Sequence, residues 1–332
     1  VSPLVTPVRF LVVATASVAL LASGVAVDAQ KRQEVATVSL QAAVQGSVPC
    51  FGASALTDKS GACQYEADKE LILSPALAKD DKSAAYADGC WSSEPYEKKP
   101  TCTYGSGKTK VALVGNSHAG HWLPALEKMA AEKDWTITTF LVSRCNPTDA
   151  KLKFDAEIKS QGCFDYGNWV IYQTAHGQFD LIITSERQSV PVVDHSFATT
   201  EAPARAGYEK YLERWTESET PIVVIRDTPF PGATLPNIPD CVATAKDANK
   251  ECSGSTGKWT WMDPLADVAA EGKHDNVAVI DPTRYFCQDG TCPAVIGGVV
   301  VYFDASHITA TYAETLTPFL EKDLEKALQE IS

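Results

Sequence analysis

The chain has 332 residues, 45% apolar and 21% charged, with 42 Asp and Glu against 29 Lys and Arg for a formal net charge of −13. That composition excludes a disordered chain and describes one large or two ordinary domains with a substantial core. The acidic balance repels a phosphate backbone, which excludes nucleic acid as a partner.

In chain order, the first feature is residues 10–27, FLVVATASVALLASGVAV, which carry no charge and follow Arg9. This length can cross a bilayer. Two readings stand: a signal peptide cut near the small residues of 26–30, or a retained helix that orients the rest outward. The chain begins with Val1 rather than methionine, which favours the second. Residues 1–30 are therefore assigned to a transmembrane helix, read as the last of a longer membrane domain, although Lys31 and Arg32 on its outer side oppose this weakly. Residues 31–108 are rich in Ala, Ser, Lys and Asp, hold two cysteine couples and lack a strong period; they read as a linker and a disulfide-pinned extension.

From residue 109 to 332 the texture changes to that of a catalytic domain. KVALVG (110–115), TITTFLV (136–142), DLIITS (180–185), PIVVIRD (221–227) and NVAVID (276–281) have strand length and composition. Between them, a helix starting near His118 places Trp122, Leu123, Leu126, Met129 and Ala130 on one face, and residues 204–218 do the same with Tyr208, Tyr211, Leu212 and Trp215. A third helix near the C-terminus is kinked or split by Pro318. Strands alternating with helices predict an α/β fold, a three-layer α/β/α sandwich around a mostly parallel five-stranded sheet.

The ten cysteines form sequence-local couples, Cys50 with Cys63, Cys90 with Cys102, Cys145 with Cys163, Cys241 with Cys252 and Cys287 with Cys292. An even count in loops reads as disulfides in an oxidising compartment, with connectivity left open. No Cys-x-x-Cys pair is present, so no metal is expected, and no cofactor.

The chemistry gathers at VALVGNSHAGHW (111–122), where an apolar strand stops at Gly115 and Ser117 follows at a helix start. In a doubly wound sheet ligands collect at the carboxyl ends of the strands, so this corner suits a nucleophile, with amide N–H groups to receive an oxyanion. A serine needs a base. His118 and His121 are too close in sequence to be its partner; at this spacing they can face substrate, serve structure or, less readily, bind metal. His176, His195 and His274 lie in polar loops. His307, in YFDASHIT (302–309), follows Asp304 by three residues. That spacing can put a carboxylate on the imidazole nitrogen remote from the serine, as a Ser-His-Asp triad requires; Asp304 can equally cap a helix and leave His307 at the surface.

Gly-x-Ser after the first core strand and Asp-x-x-His before the last helix resemble the SGNH (GDSL-like) hydrolases. The nearer resemblance is to the SGNH domain fused C-terminally to integral-membrane acyltransferase 3 proteins. It rests on GNSHAGHWLPAL, where that family typically has Gly-Asp-Ser-His, on IRDTPFPGATLPNIPDC (225–241), and on residues 281–324; it spans 110–328. Asn116 stands in place of the usual Asp, and the separate Gly and Asn blocks of an oxyanion hole are not evident. The candidates for oxyanion or substrate contact are Asn116, His118, Ser143 and Arg187.

The resemblance implies catalytic Ser117, His307 and Asp304 in an extracytoplasmic O-acyltransferase. Its implied reaction is O-acetylation of a cell-envelope glycan or glycolipid, at the plasma membrane, with a membrane acyltransferase domain delivering the acyl donor. A secreted or tethered esterase using the same triad is the alternative, and a non-catalytic envelope-binding module is the second.

Overall fold

The computed structural model describes residues 50–57, 63 and 71–331. The proposed membrane helix of 1–30 lies outside the described residues; among these, no helix is long and apolar enough to cross a membrane.

Seven strands form the main sheet: β1 (Trp91–Ser92), β2 (Thr103–Gly105), β3 (Thr109–Gly115), β4 (Trp135–Val142), β5 (Leu181–Ser185), β6 (Ile222–Ile225) and β7 (Val277–Ile280). The order is β1-β4-β3-β5-β6-β7, parallel throughout, with β2 antiparallel on β4. All five strands expected from sequence are present. The expected count of five is corrected by β1 and β2, at two and three residues too short to show a period. Both come from the stretch read as linker and extension.

Seven helices matter to the site: α1 (Ser117–Gly120), α2 (Leu123–Glu132), α3 (Glu157–Thr174), α4 (Glu201–Trp215), α5 (Pro264–Ala269), α6 (Ala310–Thr315) and α7 (Thr317–Glu330). Pro318 sits in the first turn of α7, where its missing N–H costs no helical bond, and so the C-terminal segment divides into α6 and α7. On β3, Ala112 and Val114 point toward the side chains of α3, α4 and α5, sharing their core with Tyr166, Val170, Tyr208, Tyr211, Leu212, Trp215 and Leu265. Val111 and Leu113 alternate to the opposite face, and all four are fully buried. Each Val or Leu removed from water in this way contributes about 1.5–3 kcal/mol, which is why β3 can hold the site's corner rigidly.

All five cysteine couples are bridged as disulfides. Three of them, Cys90–Cys102, Cys145–Cys163 and Cys241–Cys252, link residues 12, 18 and 11 apart in sequence. Loops of that length restrict the unfolded chain by about 3 kcal/mol each.

Candidate active site

The corner begins with Gly115, whose φ of +138° is open to glycine, and where a Cβ would lie 2.3 Å from the Ser185 carbonyl oxygen of β5. Asn116 caps α1: its Oδ1 accepts from the His118 N–H at 2.9 Å. Ser117 is thus the first residue of α1, at the carboxyl edge of the sheet, and its N–H stands where a helix has no internal acceptor.

The segment before α6 brings the other two expected residues to this edge. Phe303 N–H donates to the His307 carbonyl, and the loop between them is tied to residues 232 and 238 through the carbonyls of Ala305 and Asp304. His307 Nε2 lies 2.7 Å from Ser117 Oγ, and its Nδ1 lies 2.7 Å from Asp304 Oδ2. The N–H groups of Ser306 and His307 donate to Asp304 Oδ1, each at 2.8 Å. The Phe303 ring stacks on the imidazole at 5.1 Å with 5° between planes, fixing its orientation. Partial burial pushes the Asp304 carboxyl up, but its bonds to the His307 side chain and to the two backbone N–H groups outweigh this and hold it at about 2. A serine hydroxyl, an imidazole and an ionised carboxylate therefore stand in one relay.

His118 takes a different place. It is buried, with Nδ1 2.5 Å from Oδ1 of Asp227, which lies just beyond β6. Its ring is centred 4.7 Å from that of His307. Burial, aided by the neighbouring His307 and Arg187 charges, drives His118 well below the usual histidine range. Burial also pushes Asp227 up to about 7, against the pull of Arg187 and of the Thr228 N–H. Both directions describe a neutral imidazole beside a carboxyl that holds its proton readily. His121, also buried, has neither ring nitrogen hydrogen-bonded among the described residues.

Asn116 Nδ2 donates to the Arg187 carbonyl at 2.8 Å and approaches Asn146 Oδ1 at 3.5 Å. An aspartate here would have no donor for that carbonyl, so the amide changes the local bonding while its oxygen keeps the cap. Behind it Asn146 donates to the Arg187 carbonyl and to Tyr208 Oη, and Tyr208 donates to the buried Glu186. Burial holds the Glu186 carboxyl well above its usual range. The Arg187 guanidinium lies 3.2 Å from the Phe230 ring centroid. Ser143 is placed otherwise: its N–H donates to Ser92 of β1 and its carbonyl accepts from Tyr96, while no hydrogen bond joins its hydroxyl to the relay among the described residues. No group of three or more His, Cys, Asp or Glu suited to a metal ion is present among the described residues.

Asp227, Asn146 and Glu186 were not singled out from sequence. The available signal was position, since each follows the end of an apolar parallel strand, where ligands gather in such sheets.

The profile described as "SGNH domain (fused to AT3 domains)" matches residues 87–322. The chain belongs to this SGNH family. It is an enzyme of the acyltransferase or esterase type. Among solved structures it is similar to the lipopolysaccharide acetyltransferase periplasmic domain of Salmonella ser. Paratyphi A, at 15% identity and a TM-score of 0.50, over 73% of this chain and 88% of that one. That likeness bears on the SGNH fold. No curated protein sequence matches the chain. The SGNH match begins at residue 87 and so takes in β1 and β2.

Proposed function

We propose that this SGNH enzyme is an extracytoplasmic O-acyltransferase that moves an acyl group, most simply acetyl, onto a cell-envelope glycan or glycolipid through an acyl-enzyme on Ser117. The observation that carries the reading is the continuous hydrogen-bonded run from Ser117 Oγ through His307 to Asp304. Membership of a family fused to acyltransferase domains and the likeness to an acetyltransferase periplasmic domain support transfer to a glycan.

In this reading His307 Nε2 takes the Ser117 proton as Oγ attacks the acyl carbonyl carbon. The Ser117 N–H faces the oxygen on which charge develops. Collapse of the tetrahedral intermediate expels the donor's alcohol or thiol, which receives the proton from His307. An acceptor hydroxyl then loses its proton to the same nitrogen and attacks the acyl carbon; the bond to Ser117 Oγ breaks, Oγ takes the proton back from His307, and the acceptor leaves as the ester. Asp304 stays ionised and holds Nδ1–H. Residues 1–30 serve as the membrane helix and, of residues 31–108, those before residue 87, where the SGNH match begins, serve as linker and extension; a membrane acyltransferase domain supplies the acyl donor at the plasma membrane.

The test is mass spectrometry of the purified chain after exposure to an aryl acetate and to a serine-directed phosphonate, with Ser117→Ala alongside. An adduct on Ser117 that the variant lacks is expected, followed by acetylation of an added glycan. Adducts elsewhere, or none on a folded protein, would overturn the acyl-enzyme. Turnover only to acetate, with no acylated sugar, would assign the esterase.

A further inference from the structure

Arg187 is the exception among the described arginines. Arg144, Arg205, Arg214, Arg226 and Arg284 each pair with a carboxylate. Arg187 is more buried, at 8% exposure, yet among the described residues it makes no ion pair and its buried Nη1 has no acceptor. Of the two carboxylates nearest in electrostatic effect, Asp304 is bonded to His307 and Asp227 is bonded to His118 through Oδ1 alone; Asp227 Oδ2 is itself without a partner and forms no ion pair with the guanidinium among the described residues. A cation removed from water costs several kcal/mol unless an anion or acceptors replace its hydration. Stacking on Phe230 satisfies only the guanidinium face; its N–H groups lie in the plane, at the edges. A bound anion would supply what those edges lack.

The surroundings indicate what carries the anion. Trp261 lies 5.7 Å from Phe230 and 6.1 Å from Phe197, ring to ring, and Phe197 is 42% exposed. The Trp261 indole N–H is fixed on the Gln188 carbonyl at 3.1 Å. A stepped aromatic shelf, its rings set edge to face at 70° and 63°, thus runs from the guanidinium to solvent, and the apolar C–H face of a sugar ring can pack on the face of one of these rings. The backbone of Arg187 is tied to Asn116, the residue before Ser117, by the 2.8 Å bond to its carbonyl. On a chain of net charge −13, this is a local cationic exception beside the nucleophile.

We propose that Arg187, with the shelf of Phe230, Trp261 and Phe197, is the acceptor subsite and selects an acidic sugar, whose carboxylate pairs with the guanidinium while its ring lies on the aromatic face. The word acceptor rests on the transferase reading; acidic-sugar binding does not.

The experiment is calorimetric titration of the purified chain with glucuronate, glucose and inorganic phosphate. It is carried out on the native sequence and on Ser117→Ala, Arg187→Gln, Arg187→Lys and Phe197→Ala, each checked for cooperative unfolding. Glucuronate is expected to bind at least tenfold more tightly than glucose. That ratio should fall to about one in Arg187→Gln and be partly kept in Arg187→Lys. Phe197→Ala, at an exposed position, should weaken both sugars alike. A ratio near one in the native chain, or one unmoved by Arg187→Gln, overturns the proposal; phosphate binding as tightly as glucuronate would make the site a bare anion hole and overturn the sugar selectivity. Ser117→Ala should bind as the native chain does, so failure of phosphonate labelling strikes the transferase reading alone.

Discussion

Two His–Asp pairs lie side by side at the sheet's carboxyl edge, their rings 4.7 Å apart, and their surroundings give them opposite character. The Asp304 side chain is 38% exposed and receives two backbone N–H bonds besides its bond to His307; it is held at about 2. The Asp227 side chain is 4% exposed, its Oδ2 has no partner among the described residues, and it is pushed to about 7. The same two residue types thus make an ionised carboxylate in one place and a buried pair that favours its neutral form in the other, because solvation and donor count decide which form is stable. In the proposed mechanism that difference matters. A charged His118 would repel the imidazolium that forms on His307, whereas a neutral one does not.

Removing each histidine in turn is the strongest way to break this contrast. Ser117→Ala and His307→Gln should each lower aryl acetate turnover by about 10⁵–10⁶-fold, and the double variant by no more than either alone, since nucleophile and base act as one unit. His118→Gln should lower it by about tenfold or less, because a neutral hydrogen-bonding side chain replaces another. Steady-state kinetics on the purified variants decides the matter. Equal losses at the two histidines would erase the distinction.

The carboxylates sharpen it at a smaller scale. Asp304→Asn should cost about 10⁴-fold in turnover, because the amide favours the wrong imidazole tautomer. Asp227→Asn, replacing a carboxyl that readily holds a proton, should cost under tenfold and little stability. Asp227→Ala is the informative partner: it leaves His118 Nδ1 and the Thr228 N–H without their shared partner. The expected loss is about 1–3 kcal/mol in the free energy of unfolding, read from denaturant midpoints. A stable Asp227→Ala variant would mean that water replaces the carboxyl and that the pair is not sealed from solvent.

The proposed trio of Ser117, His307 and Asp304 could be picked out because each member sits in a short local pattern at an element boundary. Ser117 follows a strand end and a glycine, and Asp304 and His307 lie three residues apart before a helix. The five longer strands were legible for a similar reason, being runs of buried β-branched residues. What was not legible depends on contacts distant in sequence. Asp227 meets His118 across 109 residues, and Asn146 meets Tyr208 across 62. Neither partner carries a local mark of the pairing. The helix α3 was also missed as a named element: Gly162 and Gly167, with polar residues between apolar ones, blur its periodic face. The strand β1 is two residues long, and only its register against Leu141 and Val142 of β4 reveals it.

The smallest expected effect, the pH dependence of stability, separates the two pairs by sign. Asp304 falls from an ordinary 3.8 to about 2 on folding. Its contribution is therefore present above pH 3.8 and is lost as pH falls through 2; partial exposure limits it to about 1 kcal/mol. Asp227 is raised from 3.8 to about 7. Its contribution is present below pH 3.8 and is lost as pH rises through 7. His118, lowered from 6.5, has a contribution that is present above that value and is lost as pH falls below it. Between about pH 4.5 and 6 the folded pair holds one proton, on Asp227, and the unfolded chain also holds one, on His118, so the two slopes cancel. Urea midpoints for Asp304→Asn should accordingly lie below those of the native chain at pH 5 and converge with them near pH 2. Those for the double variant Asp227→Asn, His118→Gln should run parallel to the native curve from pH 4.5 to 6. A native curve rising more steeply than the double variant's across that interval would show that the folded pair binds fewer protons than the unfolded one. Asp227 would then be ionised in the folded state, and the contrast with Asp304 would fail.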